Sequence, residues 1–105
     1  MSNMRDRQEG FERKFALDEE TRFKAIARRN KLLGLWAAEK LGKSDEEAEA
    51  YAKDVVRADF EEAGDEDVFR KVYGDLQLGG AKETETDVRM AMEELLLVAA
   101  EQVRS

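Results

Sequence analysis

A chain of 105 residues has room for one hydrophobic core and no second. Its 41% of charged residues, against about 25% in an average globular protein, calls for long solvated helices, and the absence of cysteine and histidine removes disulfides, thiolate metal sites and hydrolase triads. The net charge of −7 divides unevenly, residues 1–43 carrying eleven Lys/Arg against seven Asp/Glu and residues 44–105 seven against eighteen, so a basic front and an acidic back suit a polar partner with patches of both signs and disfavour nucleic acid.

Residues 1–17 read as an amphipathic segment with no partner inside its own chain. Phe11 and Phe15 stand four apart with Met4 and Gln8 upstream on the same helical face, and Arg5, Arg7, Arg13, Lys14, Asp6, Glu9 and Glu12 cover the rest. Gly10 interrupts the segment at a cost of about 1 kcal/mol relative to Ala, and an isolated helix of this length is marginal in water. The expectation is a segment that frays alone and orders in a groove deep enough to bury both phenylalanines. The competing reading lets Phe11 and Phe15 extend the first helix and pack on the bundle. Against it, their face next meets Asp18, Glu19 and Arg22.

The first helix of the folded domain is predicted to start at Asp18, an N-cap followed by Glu19 and Glu20 at the positive end of the helix dipole. Phe23, Ile26, Leu33, Trp36, Ala37 and Leu41 recur at helical steps down to Gly42, which fits the left-handed position after a helix. Ser44-Asp45-Glu46-Glu47 reads as a capping box for a second helix with the stripe Ala48, Tyr51, Ala52, Val55, Val56, Asp59 and Phe60, ended by Gly64. Asp65 caps a third, faced by Val68, Phe69, Val72, Tyr73 and Leu76 and ended by Gly79-Gly80. Thr84 or Thr86 caps a fourth, whose Val88, Ala91, Met92, Leu95, Leu96, Val98, Ala99 and Val103 form the widest apolar face and mark it as the most buried helix. With no alternating strand pattern and short connections, the fold class is all-α: a compact four-helix bundle over residues 18–105, preceded by a flexible segment over 1–17.

The chemistry available to the chain is sparse. Ser2, Ser44 and Ser105 are terminal or capping, with no histidine to activate them, so the chain is read as no enzyme. The acidic knot Glu61, Glu62, Asp65, Glu66 and Asp67 does not match a calcium loop and reads as a helix end, a cap and an acidic first turn, and no metal or other cofactor is called for. Arg28, Arg29 and Lys31 could contact an anion or nucleotide, since guanidinium groups grip phosphate oxygens, but no glycine-rich loop accompanies them and a solvated helix face explains them as well. Trp36 shares its apolar face with Leu33 and Ala37 and is read as core. No run is long or apolar enough for a membrane span or signal peptide, so a soluble cytoplasmic protein is expected.

Several strings are specific. Phe11-Glu-Arg-Lys-Phe15, Asp18-Glu-Glu-Thr-Arg-Phe-Lys-Ala25 and, above all, Arg28-Arg-Asn-Lys-Leu-Leu-Gly-Leu-Trp-Ala-Ala-Glu-Lys-Leu-Gly42 resemble the zeta subunit family of alphaproteobacterial rotary ATP synthases. Ala50-Tyr-Ala-Lys, Ala58-Asp-Phe-Glu-Glu-Ala-Gly-Asp-Glu-Asp67 and Met92-Glu-Glu-Leu-Leu are similar to the same family, more loosely towards the carboxy terminus. The resemblance implies an inhibitor of ATP hydrolysis built as a four-helix domain with a mobile N-terminal segment. That segment would enter, as a helix, a catalytic interface of the synthase head and act as a one-way stop. Carried over, Phe11 and Phe15 would anchor in an apolar cleft, Leu17 would extend the contact, and Arg5, Arg7, Arg13 and Lys14 would meet acidic rims. The protein would then sit at the inner membrane through the synthase without inserting in it. The chain departs from the pattern at Leu17, where relatives often carry histidine, which leaves it without an obvious group titrating near neutral pH. Two other readings stand beside the inhibitor: a nucleotide- or anion-binding helical sensor using Arg28, Arg29 and Lys31, and a structural adaptor that binds through the bundle.

Overall fold

The computed structural model describes residues 18–59 and 64–104. They form four α-helices, α1 (Glu19–Lys40), α2 (Asp45–Ala58), α3 (Glu66–Leu78) and α4 (Glu85–Arg104), with no strand among the described residues. This is the all-α, four-helix fold expected from the spacing of apolar residues. The expectations for residues 1–17, for Phe60 and for Glu61 and Glu62 lie outside the described residues.

The helix ends are set largely by the chemistry the sequence announces. Asp18 is the N-cap of α1, its Oδ1 accepting the Thr21 amide at 2.7 Å. At the other end Gly42 takes φ 78°, and the Gly42 and Lys43 amides donate to the Glu39 and Ala38 carbonyls at 3.1 and 2.8 Å, the paired bonds of a Schellman ending. The capping box expected at Ser44 is not formed. Ser44 holds the N-cap position, but its side chain accepts no amide, and Asp45 lies at φ 49° where the box requires helical geometry. A reciprocal box closes instead at the start of α4. There Thr84 Oγ1 accepts the Asp87 amide at 3.2 Å and Asp87 Oδ2 accepts the Thr84 amide at 2.9 Å.

The core is centred on α1, which packs chiefly against α2 and α4 and also touches α3. Its buried stripe is Ala25, Arg29, Asn30, Leu33, Gly34, Ala37 and Ala38. Leu33, Ala37 and Ala38 join Tyr51 and Val55 of α2, Val68, Phe69, Val72 and Leu76 of α3, and Val88, Ala91 and Met92 of α4 in one cluster, with Trp36 and Leu41 packed against it. A smaller cluster sets Ala25 against Ala100, flanked by Leu96, Leu97 and Val103. Two expectations are corrected here. Phe23, placed on the buried stripe by spacing, is 69% exposed, because it lies on the far side of α1 from Ala25 and Arg29. Nor is α4 the most buried helix: Met90 and Val98 are exposed, Leu95 to Leu97 are only partly covered, and the central place goes to α1, which packs on all three other helices and most extensively on α2 and α4.

Polar contacts tie the flanks together. The Tyr51 hydroxyl donates to Asp75 Oδ2 at 2.8 Å, and Lys71 Nζ reaches the same oxygen at 3.1 Å while standing 5.2 Å from the Tyr51 ring centre. Between α3 and α4, Arg89 grips Glu66 at 2.9 and 3.3 Å and lies 3.7 Å over the Phe69 ring, which stacks on Tyr73.

Candidate functional site

The basic run of α1 is dispersed by the helix that carries it. Successive residues on a helix are turned by 100°, so Arg28, Arg29 and Lys31 leave in different directions. Arg28 is exposed and its NH1 donates to Gln102 of α4 at 2.8 Å. Arg29 points inward, and its residue is 1% exposed. Lys31 is exposed and faces α2. The structure therefore does not bring these three cations to one point.

Arg29 belongs to a buried polar node between the end of α2 and the N-cap of α3. Its NH2 donates to Asp65 Oδ1 at 2.8 Å and its Nε donates to Asn30 Oδ1 at 2.7 Å. Asp65 is the N-cap residue of α3, yet its carboxylate makes no cap bond, being engaged by the arginine. Asn30 is fully buried, and its Nδ2 has no hydrogen-bond partner among the described residues. Asp59 closes the node from the end of α2. Burial pushes its carboxyl above the ordinary range, Arg29 opposes the shift, and the charges of Asp65 and Asp67 add to it. The Asn30 side chain lies close enough to favour the ionised form slightly without a fully formed bond. The solvated-face reading thus fails at Arg29, whose neighbour Asn30 is buried with it.

The acidic knot contains no cation cradle among its described members. Asp65 faces Arg29, Glu66 faces Arg89, and Asp67 Oδ1 accepts the Val68 amide at 2.9 Å. No three described acidic side chains stand where one metal ion would be held.

A different arrangement, missed in the linear sequence, lies where α1 crosses α2. A cleft of about 410 Å³ is lined by Lys31 of α1 and by Glu49, Ala52, Lys53, Val56 and Arg57 of α2. Gly34 produces the close crossing beside it: a β-carbon there would stand 2.6 Å from the Ala52 Cα. Ala52 and Val56 supply an apolar floor, and three cations and one carboxylate rim it. The signal that would have found it is the pair Lys53 and Arg57, one turn apart on α2, beside small residues that let α1 approach.

The residues assigned to partner binding, Arg5, Arg7, Phe11, Arg13, Lys14, Phe15 and Leu17, lie outside the described residues. No described helix is long and apolar enough to cross a membrane.

Comparison with known proteins adds three findings. A family model described as ATPase inhibitor subunit zeta matches residues 1–102. A chain whose structure was solved by solution NMR is 60% identical and superposes with a TM-score of 0.70, over 78% of this chain and 93% of that one. No curated protein matches.

Proposed function

From the premise that this chain belongs to the ATPase inhibitor subunit zeta family, we propose that it restrains ATP hydrolysis by the rotary ATP synthase through its residues 1–17, inserted as a helix at a catalytic interface of the synthase head. The observation that carries this reading is one of extent. The family match begins at residue 1, whereas the bundle begins at the Asp18 cap, and the first buried residue of the described core is Ala25. The preceding segment is thus part of what defines the family while standing ahead of the four helices. Its Phe11 and Phe15, one turn apart, suit an apolar cleft, and Arg5, Arg7, Arg13 and Lys14 suit acidic rims. Leu17 extends the apolar contact to the cap. The bundle would serve as the anchor that holds this segment at high local concentration.

No catalytic role is proposed, since an inhibitor acts by occupying an interface rather than by chemistry. The test compares the full chain, a chain starting at Asp18 and Phe11→Ala/Phe15→Ala in hydrolysis assays with the cognate head. The expected result is inhibition by the full chain alone. Equal inhibition by all three would transfer the activity to the bundle and favour the adaptor reading.

A further inference from the structure

We propose that the groove between α1 and α2, rimmed by Lys31, Lys53 and Arg57, is a second docking site, which takes an acidic amphipathic helix of the ATP synthase. The partner's identity rests on the inhibitor reading above; the chemistry of the groove does not.

The groove gathers three cations that ion pairs leave largely uncompensated, while several others in the described bundle are paired. In this chain of net charge −7, Arg29 is paired with Asp65, Lys40 with Glu83, Lys71 with Asp75, and Arg89 with Glu66. Among the described residues Lys31 and Lys53 have no ion-pair partner, and Arg57 has only the exposed Asp54 at 3.5 Å, one turn of its own helix away. Three cations thus converge on a trough in which Glu49 is the single acid. Between them lie Ala52 and Val56, so an occupant must present apolar atoms to the floor and carboxylates to both rims. The lining residues of α2 recur at helical steps, Glu49, Ala52, Lys53, Val56 and Arg57, so the trough follows one helix flank beside the close approach at Gly34, and a third helix could lie along it.

The same geometry argues against a phosphate. Phosphate sites on helical frameworks recruit free backbone N–H groups from a helix N-terminus or a glycine-rich turn. Lys31 sits in the middle of α1 and Lys53 and Arg57 in the second half of α2, where the amides are already bonded within their helices. Side chains alone, spread along two helices, match carboxylates spread along a third.

Two probes on the full chain decide the matter. The first is a synthetic amphipathic helix with Leu and Ala on one face flanked by Glu, followed by amide shifts. Shifts at Lys31, Ala52, Lys53, Val56 and Arg57 that vanish in Lys31→Glu/Lys53→Glu are expected, and unmoved groove amides would overturn the site. The second is the isolated synthase head. There the groove variant should bind about tenfold more weakly in low salt, with the difference shrinking in high salt, while Lys82→Glu/Arg104→Glu, equal in charge and off the groove, binds as the parent does. Equal weakening by both pairs would reduce the effect to net charge and overturn the proposal, as would unchanged binding of the groove variant. Phe11→Ala/Phe15→Ala separates the two readings, for it should lose inhibition while keeping the groove-dependent part of the affinity. Should the charge-reversed protein fail to fold by circular dichroism, Lys31→Gln/Lys53→Gln carries both tests, with shifts lost and head affinity reduced severalfold as the expected results. Titration with ATP in place of the peptide should leave the groove amides unmoved. Saturable shifts there would assign the groove to a nucleotide and overturn the docking proposal.

Discussion

Arg29 and Asp65, 36 residues apart, meet at 2.8 Å, the arginine side chain almost wholly buried and the aspartate at the N-cap of α3. The pair fixes where the acidic second half of the chain returns to the centre of α1. Removing Asp65 leaves a guanidinium in the interior with only Asn30 and Asp59 to compensate it, and loss of one partner of a buried pair is strongly destabilising. Asp65→Ala is expected to lower unfolding stability by about 3 kcal/mol, read by urea denaturation. Arg28→Ala, which removes only an exposed contact to Gln102, should stay within about 0.5 kcal/mol of the parent. Similar losses in Asp65→Ala and Arg28→Ala would contradict the buried node.

Asp59 makes the node respond to acid in an unusual direction. Burial raises its carboxyl above the ordinary 3.8, so the folded chain holds that proton more tightly than the unfolded chain does. The ionised form therefore opposes folding in full above the folded-state value. As pH falls through the window between that value and the unfolded one, the penalty disappears. Asp59→Asn is expected to be more stable than the parent at neutral pH, with the two converging in acid. Asp18 acts with the opposite sign. The Thr21 amide lowers its pKa, so its cap supports the fold above the unfolded value and fades as pH drops through the folded one. Denaturation of Asp59→Asn and Asp18→Asn against pH separates the two trends.

The two candidate capping boxes differ in what they hold. At Thr84 two reciprocal bonds satisfy amides at the start of α4, whereas the Ser44 hydroxyl accepts none. Thr84→Ala should cost about 1 kcal/mol and Ser44→Ala no more than a few tenths of that, both measurable as changes in thermal midpoint.

The four helices were legible because apolar spacing and end chemistry agree. Asp18 caps as read, Gly42 and Gly80 take positive φ where helices stop, and Val68, Phe69, Val72 and Leu76 are buried as their pattern requires. The face of α1 departs from its apolar spacing for a physical reason. Leu33 is the one large apolar side chain in its buried stripe, and the rest is Ala25, Gly34, Ala37 and Ala38 together with Arg29 and Asn30, so close helix approach and polar pairing do much of what large side chains do elsewhere. Apolar spacing alone therefore puts Phe23, the largest apolar residue of the first turns of α1, on the wrong side. Arg29 could not be told from a solvated cation without its partner 36 residues away, and the cationic groove exists only once α1 and α2 are crossed.

Gly34 and Gly74, both in helices, should answer the same substitution with opposite signs. Alanine removes the helical penalty of glycine, about 1 kcal/mol at either position if nothing else changed. At Gly74 nothing else does change: a β-carbon meets no atom within 4 Å, and Gly74→Ala is expected to stabilise the protein by about 0.5–1 kcal/mol. At Gly34 the new carbon would stand 2.6 Å from the Ala52 Cα and 3.1 Å from its Cβ, and the first of these is backbone that cannot swing aside. Overpacking of this kind costs about 1–3 kcal/mol, so it outweighs the gain in propensity and Gly34→Ala should be less stable than the parent. Because Gly34 abuts Ala52, which lines the trough next to Lys53, Gly34→Ala should also shift the amides of Ala52 and Lys53, and Gly74→Ala should leave them in place. A stabilising Gly34→Ala would mean that α1 and α2 do not cross as closely as described.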